Sequence, residues 1–120
     1  MEYSSRRYAD VVVATPTGRI DHANADAFKG SLDPDLRKGH PLVLDFAGVE
    51  YISSVGLRVL MIAAKQMRGR GARIAVAALQ PVVAEIFAIS RFDSVLDVFP
   101  SVRNAVEKFS PPALAAFDAQ

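Results

Sequence analysis

Residues 42–60 read LVLDFAGVEYISSVGLRVL, and this stretch decides the fold. Residues 41–47 (PLVLDFA) are a nearly continuous apolar run bounded by Gly39 and Gly48, the pattern of a central strand covered on at least one face. A short connector leads to Ser53 and Ser54. Beyond them Leu57, Leu60, Met61, Ala64 and Met67 recur at spacings of three and four, which marks one stripe of a helix over residues 54–68. A buried strand feeding a helix through a serine pair is half of a crossover unit and predicts more of the same on either side.

Downstream, Gly69 and Gly71 close the helix, residues 73–78 (RIAVAA) form a second buried strand, and Pro81 opens a helix through Val82, Val83, Ile86, Phe87 and Ile89. A short strand over 95–99 and a helix from Pro100 through Phe109 follow. Pro111-Pro112 read as a stop, so residues 1–110 are expected to form the domain and residues 111–120 a mobile tail. Upstream, residues 11–14 (VVVA) read as a strand with a bulge or an edge at Pro16, with residues 2–8 as its hairpin partner. Asp21 or Asn24 caps a first helix that uses Ala23, Ala25, Ala27, Phe28 and Leu32, and Gly30 and Pro34 argue for an end between Leu32 and Arg37. Alternating strands and helices with short Gly/Pro-bearing loops predict one α/β domain: a mixed, largely parallel sheet of about four to five strands with about four helices.

Composition narrows the function. With 51% hydrophobic and 22% charged residues, the chain has the balance of a globular protein. No cysteine is present, which excludes disulfides, cysteine-ligated metals and a thiol nucleophile, and suits a reducing, cytoplasmic setting. The net charge of +1 supplies no long-range field toward nucleic acid or anionic lipid. The longest apolar stretch, residues 55–64, is broken by Arg58 well short of the ~20 residues a bilayer-spanning helix needs.

Ser53 and Ser54 stand where a strand ends and a helix begins, the usual place for binding groups in α/β sheets. One reading is structural: either serine caps the helix, worth about 1 kcal/mol. The other is functional. At 3.6 residues per turn Ser54, Arg58 and Lys65 share a stripe opposite the Leu57/Leu60/Ala64/Met67 face, with Val55 and Ile62 flanking it, so a hydroxyl, cations and apolar side chains form an exposed docking surface.

With these residues the chain resembles the STAS domains, and among them the small stand-alone bacterial anti-sigma factor antagonists, from about residue 8 to residue 109. The resemblance rests on GRIDHAN at residues 18–24, on residues 42–46, on ISSVGLRV at residues 52–59, and on Phe99-Pro100-Ser101 followed by Ala105. It implies that Ser54, two places before Gly56, is phosphorylated by an anti-sigma factor that is itself a serine kinase. It further implies that Asp21 contacts that partner; Asn24, Ser53, Val55, Gly56, Arg58 and Ile62 are expected to join it in the partner-binding surface. Ser53 stands where some members carry Asp, which leaves it as a competing acceptor. The implied cycle is partner exchange: the unmodified protein sequesters the kinase and frees a sigma factor, phosphorylation ejects it, and a phosphatase resets it. No cofactor, nucleic acid, membrane insertion or catalytic residue is expected, and a homodimer is compatible with the sequence. The alternative within the same fold is a scaffold or accessory subunit of a sensory complex or lipid ABC transporter, without a phosphoryl switch.

Other chemistries fit poorly. Only His22 and His40 could serve as a base or metal ligand, at a spacing that matches no standard motif, and no Gly-x-Ser-x-Gly elbow surrounds either serine. Lys65, Arg68, Arg70 and Arg73 make a basic run, but cations near a helix C-terminus suit its dipole, and no aromatic residue is interleaved for base stacking.

Overall fold

The computed structural model describes residues 1–120. Strand β1 (Glu2–Tyr8) turns through Ala9-Asp10 into β2 (Val11–Ile20), followed by α1 (Ala25–Arg37), β3 (Leu42–Asp45), β4 (Val49–Ile52) and α2 (Ser54–Gly69). Then come β5 (Ile74–Ala77), α3 (Pro81–Ile89), a single 3-10 turn (Phe92–Ser94), β6 (Asp97–Phe99), α4 (Val102–Phe109) and α5 (Pro111–Asp118). The sheet runs β1-β2-β3-β5-β6, with β4 pairing to β2 outside this path. Only the β1–β2 pair is antiparallel. The mixed, largely parallel α/β sheet is as expected, with six strands and five helices in place of four to five and four.

Alternation along β2 explains the layers. Val12, Ala14 and Ile20 face a core of 21 buried residues that includes Phe28 and Leu32 of α1, Leu60 and Met67 of α2 and Val83 and Phe87 of α3. Val11 and Val13 face the opposite way, into a smaller cluster with Ala105, Val106 and Ala113 from α4 and α5. Helices thus cover both faces.

Three outcomes of the sequence reading have local causes. First, β2 runs on past Ala14, through Pro16, to Ile20. The even-numbered residues of β2 hydrogen-bond away from β1, as Val12 N–H to the Pro41 carbonyl (2.9 Å) and Gly18 N–H to the Gly48 carbonyl (2.8 Å) show. Pro16, which has no N–H to give, falls in the gap between the β3 pairing at residues 12–14 and the β4 pairing at residues 18–20. The strand forks there, and β4, expected only as a connector, joins its second half.

Second, α1 carries Pro34 inside it and ends at Arg37, the outer limit of the expected range. The turn around it is held from outside: Leu36 is buried, and the buried Asp35 carboxylate accepts hydrogen bonds from the Tyr3 hydroxyl (2.6 Å), Ser5 Oγ (3.3 Å) and Lys38 Nζ (3.3 Å). Third, residues 111–118 form a helix where a mobile tail was expected. Pro111 and Pro112 occupy its first positions, where no N–H is missed, and Ser110 caps it by accepting from the Ala113 N–H. Ser110 Oγ also donates to Asp10 (2.7 Å), and Phe117 meets Tyr8 edge-on with ring centroids 5.2 Å apart.

Candidate functional site

The parallel register of β2 and β4 sets Arg19 opposite Tyr51 and Ile20 opposite Ile52. Both strands therefore end together, and the loops carrying Asp21 and Ser53 leave from the same point; the Ser53 N–H donates to the Ile20 carbonyl at 2.8 Å. The first turn of α2 then rests directly on the two isoleucines. A Cβ on Gly56 would lie 2.7 Å from Ile52 Cγ1 and 2.9 Å from Ile20 Cγ2, so only glycine lets the helix start this close to the strand ends.

That contact fixes the serine pair. Ser53 takes the extended backbone of an N-cap (φ −85°, ψ 172°), and its Oγ accepts from the Gly56 N–H at 3.3 Å. The capping role belongs to Ser53. Ser54 is the first helical residue, exposed, with no hydrogen bond holding its hydroxyl. Val55 beside it is 43% exposed, large for an apolar side chain. Arg58, one turn on, and Lys65 are exposed on the same side, opposite the buried Leu60, Ala64 and Met67.

Asp21 and Asn24 are held by one another. The Asp21 N–H donates to Asn24 Oδ1 (2.9 Å), the Ala23 N–H to Asp21 Oδ1 (3.0 Å), and Asn24 Nδ2 to the Arg19 carbonyl (2.8 Å). Asn24 occupies the cap position of α1 without capping it through its side chain; it ties the loop instead. Asp21 Oδ2 faces Arg19 Nε at 4.0 Å, and the Arg19 guanidinium lies over the Tyr51 ring, 4.5 Å from its centroid. This Arg19–Tyr51 pair escaped the sequence reading. Its signal was the matched alternation of Arg19-Ile20 and Tyr51-Ile52, which becomes visible only once 49–52 is taken as a strand.

Ile62 does not join the group around Ser54. It is half-buried in the seam between α1 and α2, beside Leu32, Val59 and Ala63, and eight residues at 1.5 Å each place it about 12 Å along the helix. His22 and His40 flank opposite ends of the 13-residue α1, so they form no pair. No group of three or more His, Asp or Glu side chains could hold a metal ion. In the basic run, Arg70 donates to the Leu36 carbonyl (3.1 Å), while Arg73 lies 3.7 Å from Asp97 and stacks on Phe109, 4.5 Å from its centroid, so two of its four cations serve the fold. No helix is long and apolar enough to cross a membrane.

The largest surface depression, about 300 Å³, includes Arg68, Arg73, Ser94 and Asp97 at the far end of α2. None of the depressions involves Asp21, Ser53 or Ser54. The surface around Ser54 is thus open, mixed in polarity and without a ligand-sized cavity, which is the form of a protein-docking face.

Comparison with known proteins bears on this geometry. The sequence profile of the family described as STAS domain matches residues 3–105. The chain is 34% identical over 110 residues to the candidate anti-sigma factor antagonist BtrV of Bordetella bronchiseptica, covering 91% of this chain and 95% of that protein. An anti-sigma factor antagonist from Mycobacterium paratuberculosis superposes with a TM-score of 0.82 at 22% identity, over 90% of this chain and 92% of that one. The Bacillus cell-fate determinant SpoIIAA in its phosphorylated form superposes with a TM-score of 0.68 at 12% identity, over 91% of this chain and 100% of that one. At such identities the two solved structures speak for the fold.

Proposed function

Because the chain belongs to the STAS-domain family, we propose that it is an anti-sigma factor antagonist acting as a protein-binding switch, with Ser54 as the phosphorylated residue. The unmodified protein sequesters an anti-sigma serine kinase and so frees a sigma factor; phosphorylation by that kinase ends the complex, and a phosphatase restores it. The observation that carries this reading is the division of labour in the serine pair: Ser53 is engaged as the helix cap, while Ser54 is exposed with its hydroxyl free.

The physics of the position suits a switch. A phosphate adds about −1.5 to −2 charges, and at a helix N-terminus it meets unpaired N–H groups and the positive end of the helix dipole, so the fold tolerates it. Arg58, one turn away, adds a nearby cation. The new charge therefore acts on whatever docks there. Carboxylates or closely packed apolar groups on the partner would face repulsion or desolvation, and about 2.7 kcal/mol of such cost weakens binding roughly a hundredfold. Asp21, Asn24 and Val55 complete the docking face around Ser54, while the buried Gly56 seats the helix start beneath it. In this role the chain is a substrate and supplies no catalytic group.

The test is incubation with a candidate anti-sigma kinase and ATP, followed by intact mass and phosphosite mapping. Wild type should gain one phosphate on Ser54 and Ser54→Ala none, and Ser54→Asp should lose kinase affinity while remaining folded. A phosphate on Ser53 would overturn the residue assignment, and an unmodified protein that stays bound to the kinase would overturn the switch.

A further inference from the structure

β1 is the long edge of the sheet, seven residues against three for β6 at the other end. Its faces are covered, by α1 through Tyr3 and Ser5 bonding Asp35 and by α5 through Tyr8 against Phe117. Its outer rim is not. Because Ala9 and Asp10 are the whole turn, the closing pair Tyr8 and Val11 must exchange hydrogen bonds with each other. Alternation then directs the backbone groups of Arg6, Ser4 and Glu2 toward β2, and those of Tyr3, Ser5 and Arg7 outward. No backbone hydrogen bond outside the regular elements involves any residue from 1 to 9. An uncovered rim of this kind is a template for another strand.

We propose that the partner for this rim is a second copy of the chain, docked antiparallel through β1 in a single register. Only registers in which residue numbers sum to an even value set outward-facing backbone against outward-facing backbone. In the register summing to eight, Tyr3 meets Ser5 of the second copy, Ser4 meets Ser4 on the twofold axis, and Glu2 meets Arg6 of the second copy, twice by symmetry. Glu2 and Arg6 are both exposed and sit at non-hydrogen-bonded positions, where Cα atoms approach to about 4.5 Å and side chains pair most closely. In the register summing to ten, Glu2 meets Tyr8 instead, and the charge match is lost. Charged residues that protect the edge from unrelated strands thus complement one another across a self-pair. The association is weak, and it weakens with salt. The Ser54 face lies at the ends of β2 and β4 and the rim on the other side of β2, and self-association is read without the kinase, so the two proposals stand or fall separately.

Sedimentation velocity over a concentration series to about 1 mM, with folding checked by circular dichroism, tests the idea. Wild type should move reversibly from monomer to dimer. Glu2→Arg and Arg6→Glu should each weaken self-association about tenfold or more, whereas an equimolar mixture of the two should form a heterodimer, since both pairs between positions 2 and 6 are then opposite in charge. Ser5→Pro removes an outward N–H without touching the bonds to β2, and should abolish the dimer while leaving the fold. A wild type that stays monomeric throughout would overturn the proposal. So would a dimer unaffected by these substitutions, or a mixture that fails to associate.

Discussion

Gly56→Ala isolates the contact that holds the first turn of α2 against the strand ends. The added Cβ comes within 2.7 Å of Ile52 Cγ1, 2.9 Å of Ile20 Cγ2 and 3.3 Å of Ile52 Cδ1. Both isoleucines are fully enclosed, at 1% and 0% exposure, and β-branched, so neither has an easy alternative rotamer. Overpacking of this kind costs about 1–3 kcal/mol. Against it stands the better helix propensity of alanine, at most about 1 kcal/mol. The net expectation is a loss of about 1–2 kcal/mol, read as a lower urea midpoint at unchanged m-value. Gly30→Ala in α1 is the control, because a Cβ there has nothing within 4 Å; it should gain about 0.5–1 kcal/mol. If Gly56→Ala were as stable as wild type or more so, the close approach would not be what fixes the helix start, and the placement of Ser54 would need another cause.

Ser53→Ala should cost about 1 kcal/mol by urea denaturation because it removes the cap of α2, whereas Ser54→Ala should fall within about 0.5 kcal/mol of wild type. The phenol of Tyr3 is held well above the ordinary tyrosine range, first by burial and then by the hydrogen bond and charge of Asp35. Its neutral form is therefore favoured in the folded state. Stability from this group is complete below a pH of about 10, the ordinary tyrosine value, and is lost progressively above it, so unfolding followed against pH should steepen in alkali for wild type and less so for Tyr3→Phe. Truncation after Ser110 removes the buried Ala113 and the half-buried Leu114 and Phe117 and should cost about 2–3 kcal/mol, measured by thermal or urea unfolding.

The stretch over 42–60 was readable because its two halves obey different periods, a continuous apolar run and then a spacing of three and four, and burial on each follows from that pattern. What stayed hidden depended on contacts between distant segments. β4 has only four residues and becomes a strand by pairing with the second half of β2, a pairing that Pro16 argues against until the direction of its missing N–H is known. α5 was hidden because a Pro-Pro pair stops a helix or starts one, and Ser110 with Tyr8 and Asp10 decides between them. Around the serines, the helical stripe gives the exposure of Ser54, Val55 and Arg58. It does not give the half-burial of Ile62, because the neighbour beside it is α1, which no local pattern can reveal.

The fork in β2 ties the length of one segment to the orientation of everything beyond it. Between Ala14, where the strand last pairs with β3, and Gly18, where it first pairs with β4, the chain must keep its phase. A single inserted or deleted residue there would turn Arg19 inward and Ile20 out to solvent, removing the seat on which Gly56 rests. Single-residue length variants confined to residues 15–17 should therefore be far less tolerable than most side-chain replacements at the same positions.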